Sequence, residues 1–146
     1  MRSDSGHTTS IWMDTATVPS YPALARDLRC DVCVVGAGIA GLSAAYVLGR
    51  AGRHVVVLDD GVIGGGESGR TTAHLTLARD DGYAAIERVH GEQGARLAAD
   101  SHRSAIDRIE RIVLSEGIDC AFERVDGYLF LGEGDDALVL DHEMEA

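Results

Sequence analysis

The chain has 146 residues, 24 acidic and 13 basic, giving a formal net charge of −11, with 45% hydrophobic and 25% charged side chains. This composition suits one globular domain that covers about 68–70% of its unfolded surface, not a disordered chain. The acidic balance argues against nucleic acid or anionic membrane as the main partner, since both are polyanions, and no apolar stretch approaches the ~20 residues that span a bilayer.

Residues 1–30 are polar, broken by Pro19 and Pro22, and are expected to form an extended N-terminal arm pinned by Trp12, Tyr21 and Leu24. No continuous apolar run stands beside basic residues there, so no secretory signal peptide is expected. Three cysteines, Cys30, Cys33 and Cys120, make no disulfide framework, which points to a reducing cytoplasm. From Asp31 the pattern changes. Val32-Cys33-Val34-Val35 suits a strand buried on both faces of a parallel sheet. A glycine-rich turn leads into a helix with Leu42, Ala45, Val47 and Leu48 along one side, ended by Gly52. Val55 to Leu58 form a second strand closing on Asp59-Asp60, which completes a βαβ unit.

A loop rich in glycine and hydroxyls occupies 61–74, so residues 31–80 read as the nucleotide-binding unit with its loop. Residues 81–146 then supply a short helix around Ala84–Val89 and a longer one from Glu92 to Ser115, with Leu97, Ile106, Ile109, Ile112 and Val113 at helical spacing and Gly117 as terminator. Asp126-Gly127 between Phe122–Val125 and Tyr128–Leu131 predicts a β-hairpin. From Asp135 another helical pattern begins, with Leu138, Val139 and Met144 on one side. It stops without cap or closing strand, so the chain is expected to be the front part of a longer protein.

The chemistry lies in Gly36-x-Gly38-x-x-Gly41, which follows a strand, opens a helix and precedes a second strand ending in an acid. Gly36 permits the tight turn, Gly38 lets backbone approach a pyrophosphate, and Gly41 allows close helix–strand packing. The helix N-terminus then holds the phosphates, and Asp59 accepts hydrogen bonds from the adenosine ribose. The motif does not separate FAD from NAD. An NAD-linked dehydrogenase fragment and a non-catalytic adenine-dinucleotide-binding module remain as alternatives. Gly64 to Thr72 is either a mobile surface loop or a segment touching a second phosphate or flavin edge. His74 is a solvated loop residue or a donor toward the flavin. Cys30-x-x-Cys33 is best explained by structural cysteines, and the charges from Glu87 to Arg111 by a solvated helix face. Tyr128 is expected to be packed in its strand.

Asp31 to Ser43, with Gly36-Ala37-Gly38-Ile39-Ala40-Gly41 at its centre, resembles the N-terminal fingerprint of FAD-dependent oxidoreductases of the D-amino-acid oxidase-like superfamily, the amine, glycine and sarcosine oxidase type. Ile63 to His74 looks most like the branch that carries a C-terminal Rieske domain. The resemblance spans 11–146. It implies an α/β fold: a Rossmann-like, glutathione-reductase-type FAD-binding βαβ unit with the start of an interleaved α+β substrate domain, incomplete here. It further implies that Gly36, Gly38, Ile39, Ala40 and Gly41 hold the FAD pyrophosphate and that Asp59 or Asp60 holds the ribose. Arg70, Thr71, Thr72 and Ala73 would lie along the pyrophosphate toward the isoalloxazine. The implied chemistry is hydride transfer from an amine or amino-acid-like donor to the flavin, with an electron acceptor or Rieske domain encoded downstream. No catalytic residue is assigned within the chain, and Cys30-x-x-Cys33 lacks the histidines of a Rieske site.

Overall fold

The computed structural model describes residues 8–134 and 136–146. The first seven residues of the arm and Asp135, where the last helical pattern was expected to begin, lie outside the described residues. The chain divides into two compact units, Met1–Ala73 and His74–Ala146.

The first element among the described residues of the first unit is a helix, α1 (Ile11–Thr15), where an extended arm is predicted. Ser10 explains the difference: its hydroxyl accepts from the Met13 amide at 3.2 Å, capping the turn. Residues 16–30 carry no regular element. Two strands rich in β-branched residues, β1 (Val32–Val35) and β2 (Val55–Leu58), pair in parallel with Val32 against Val55 and Val35 against Leu58. They are joined by α2 (Ile39–Arg50). Gly52, at φ +78°, turns the chain out of the helix, and the Arg53 amide closes the end on the Leu48 carbonyl at 3.0 Å.

The side of α2 that faces the sheet is Gly41, Ala45 and Leu48, all half-buried, while Leu42 and Val47 are exposed. The expected stripe is thus rotated: a Cβ on Gly41 would stand 3.2 Å from Val34 Cγ1, so the glycine itself marks the contact line. β1 is not buried on both faces: Cys33 is exposed and Val35 is 84% exposed, whereas all four residues of β2 are half-buried. Among the described residues only Ala37 and Ala95 are buried, far short of the core that the length and composition predict.

In the second unit α3 (Gly82–Glu116) consists of two helical stretches that meet at Gly91, whose φ of 74° and ψ of 168° break the helix where the pattern predicted two. Ile106, Ile109, Ile112 and Val113 are half-buried, and Leu97 is exposed. Gly117, at φ 61°, ends the helix in the left-handed conformation. In α4 (Leu138–Glu145) the half-buried residues are Leu140 and Glu143, while the predicted Leu138, Val139 and Met144 are exposed. The reason is polar: the Glu143 carboxylate accepts from the Tyr83 amide and, at 3.1 Å, from the Ala84 amide, capping the N-terminus of α3.

The predicted hairpin is absent: residues 121–132 carry no strand, and Gly127 does not take a positive φ. An isolated two-stranded hairpin is marginal without a third strand or a helix against it. This segment is anchored by Arg124, which pairs with Asp107 at 2.6 Å and Glu110 at 2.7 Å. Tyr128, expected to be packed, is 81% exposed. No described helix is long and apolar enough to cross a membrane.

Candidate cofactor site

The site is built at the C-terminal ends of β1 and β2. The Gly36 amide donates to the Leu58 carbonyl at 2.7 Å, extending the strand pairing by one bond before the chain turns. Gly36 makes that turn at φ +104°, a conformation side chains rarely adopt. A Cβ on Gly41 would collide with the Gly36 carbonyl oxygen, so the helix can start this close to the strand only with glycine there. Asp59, at the end of β2, accepts from the Ala37 amide at 2.6 Å through Oδ2 and from the Gly61 amide at 2.8 Å through Oδ1. These two backbone donors, Ala37 foremost, hold its carboxyl below the ordinary value.

The second glycine loop folds onto the first. The Gly64 amide donates to the Ala37 carbonyl at 2.9 Å. Ser68, in a 3₁₀ turn over Glu67–Arg70, accepts from the Ile39 amide at 2.9 Å. Arg70 turns its guanidinium inward, with Nη1 donating to the carbonyls of Gly65 at 2.6 Å and Gly66 at 3.0 Å. Trp12 Nε1 donates to the Thr71 carbonyl at 2.9 Å and the Ser10 hydroxyl to the Gly69 carbonyl, so α1 braces the loop. Of the three residues expected to pin the arm, Trp12 does so, while Tyr21 is 73% exposed.

Gly36, Gly38, Ile39, Ala40, Gly41 and Asp59 therefore converge, with Asp60 exposed beside them. Arg70 is tied to its own loop, whereas Thr71, Thr72, Ala73 and His74 are exposed beyond it. Ala73 has φ +58° and its amide donates to Thr71 Oγ1 at 3.2 Å. The residues fit the adenosine diphosphate half of a dinucleotide. The first-turn amides of Ala40 and Gly41 have no acceptor within the helix, the helix start favours anions, and Asp59 stands at the strand end with further acceptor capacity. Sequence reasoning missed Ser68. The signal was available: α2 opens at Gly38, which has no side chain to cap it, so a cap had to come from elsewhere.

A model of the FAD dependent oxidoreductase family matches residues 31–146. YhfW of Bacillus subtilis, named for a Rieske 2Fe-2S iron–sulfur protein, is 35% identical over 135 residues, covering 92% of this chain and 26% of the relative. Gamma-glutamylputrescine oxidoreductase of Escherichia coli is 33% identical over 140 residues, covering 95% of this chain and 32% of the relative. Sarcosine oxidase subunit alpha of Rhizobium meliloti is 43% identical over 59 residues, covering 40% of this chain and 6% of the relative. The chain thus spans 26% to 32% of the length of the first two. No solved structure gives a significant match. With the family match running from the first strand to the last residue, the chain belongs to the FAD-dependent oxidoreductase family, whose cofactor is FAD.

Proposed function

We propose that this chain is the dinucleotide-binding end of an oxidoreductase that takes hydride from an amine or amino-acid-like donor. The observation that carries the reading is Gly41 seated against the Gly36 carbonyl, which brings the start of α2 to the ends of both strands. In this reading the βαβ unit is Rossmann-like, of the glutathione-reductase type. Gly36, Gly38, Ile39, Ala40 and Gly41 bind the FAD pyrophosphate, and Asp59, with Asp60 beside it, binds the ribose. Arg70 shapes the second loop, and Thr71, Thr72 and Ala73 continue from it toward the flavin. Residues 81–146 begin a substrate domain. Bound FAD supplies the hydride acceptor; the protein positions the donor and excludes water. Relatives named for gamma-glutamylputrescine and sarcosine support the donor class. A relative named for a Rieske protein supports an iron–sulfur domain, or another electron acceptor, as partner. Three free cysteines support a cytoplasmic location.

The isolated chain is inactive in this reading, since it carries no assigned catalytic residue. In the protein that contains this chain, Gly38→Trp abolishes FAD retention, measured as flavin released on denaturation. Unchanged flavin content would overturn the assignment, and turnover of amines by the 146-residue chain alone would overturn the inactivity.

A further inference from the structure

We infer that Ser68 is a built-in stand-in for a phosphate oxygen: its hydroxyl holds the first amide of α2 until a dinucleotide displaces it. The inference rests on the dinucleotide reading of the site and concerns how that site is kept when empty. α2 begins at Gly38 with no side-chain cap of its own, which leaves the Ile39 amide to find an acceptor outside the helix. Ser68, 29 residues along the chain, supplies it at 2.9 Å.

The fit depends on glycine. A Cβ at position 38 would lie 3.2 Å from Ser68 Oγ, so the gap that would admit a phosphate is the gap the serine fills. Two further contacts hold the serine there. The Gly64 amide is bonded to the Ala37 carbonyl, and Arg70 Nη1 clamps the carbonyls of Gly65 and Gly66 on the near side of the 3₁₀ turn. One N–H cannot serve a hydroxyl and a phosphate oxygen at full strength. An ionised acceptor makes the stronger bond, so phosphate wins the amide, but its apparent affinity is lowered by the fraction of molecules in which Ser68 occupies it. The serine therefore stabilises the empty loop and opposes ligand entry, whereas a serine that ligates phosphate would favour entry.

The two roles predict opposite signs. ADP is titrated into the intact ¹⁵N-labelled chain and into Ser68→Ala and Ser68→Thr, following the amides of 36–41. The expected result is that Ser68→Ala binds ADP about fivefold more tightly, the equivalent of one helix cap, and melts at a lower temperature without ADP. Ser68→Thr, which keeps a hydroxyl, behaves as wild type. Weaker or unchanged ADP binding by Ser68→Ala would overturn the inference. A second measurement needs no variant: in the wild type, saturating ADP speeds hydrogen exchange at residues 64–70, and unaltered exchange there would overturn it equally. If the wild-type amides of 36–41 do not respond to ADP at all, the dinucleotide reading itself fails, an outcome distinct from either.

Discussion

Asp59 accepts a hydrogen bond from the Ala37 amide at 2.6 Å, joining the end of β2 to the turn that follows β1. The same carboxylate accepts from the Gly61 amide, so one ionised group fixes the start of both glycine loops. Its titration should therefore be visible in stability. The carboxyl is lowered from an ordinary value of 3.8, so folding favours the ionised form. The contribution is fully present above the unfolded value and is lost as pH falls through the folded one. In acid titrations of the melting temperature, wild type is expected to lose its advantage over Asp59→Asn below about pH 4. A constant difference from pH 7 to pH 3 would contradict this account.

A steric prediction follows from Gly41. Its replacement by alanine puts a methyl group against the Gly36 carbonyl, backbone that has nowhere to go without moving α2 off β1. Overpacking of this kind costs about 1–3 kcal/mol. Urea denaturation of Gly41→Ala should show that loss.

Gly36→Ala tests conformation without crowding, since nothing lies within 4 Å of the added methyl and the φ of +104° alone opposes it. The expected cost is about 1–2 kcal/mol, the scale of a side chain forced to positive φ. A variant as stable as wild type would mean that the turn relaxes.

The second unit has its own test in Glu143, whose carboxylate receives the Tyr83 and Ala84 amides. Glu143→Ala removes a cap worth about 1 kcal/mol. Hydrogen exchange should quicken in the first turn of α3 before it does beyond Gly91. Uniform quickening along the whole of α3 would show that the cap holds more than the first turn.

Arg124 provides a contrast. It pairs with Asp107 and Glu110, yet its side chain and that of Asp107 are about half exposed. Exposed pairs of this kind contribute little. Arg124→Ala should leave the melting temperature of the chain nearly unchanged while freeing residues 121–132, read by their NMR line widths, and added salt should reproduce that effect in the wild type.

The βαβ unit was legible because its signals are local. Strands of β-branched residues, a glycine turn with one positive φ, and a glycine after α2 each act within a few residues. The break at Gly91 and the stop at Gly117 were legible for the same reason. What the sequence hid depends on long-range partners. Leu138, Val139 and Met144 look like an apolar stripe but are exposed, and α4 is held instead by Glu143, which bonds amides some sixty residues earlier. Asp126-Gly127 is a strong turn signal, yet Phe122–Val125 and Tyr128–Leu131 form no strands, and Val125, Tyr128, Leu129 and Phe130 stay exposed although Arg124 ties the segment to α3. At the candidate site the glycines and Asp59 were evident from spacing. Ser68 was not, because Gly38 shows that a cap is needed but not that it comes from 29 residues along the chain.

Trp12 is the only tryptophan in the chain, and its indole N–H is bonded to the Thr71 carbonyl of the second glycine loop. The loop thus carries its own optical label. Opening of the loop breaks that bond, so it is followed through the indole emission without an attached dye. A flavin absorbs where indole emits, and its arrival nearby would quench the same signal.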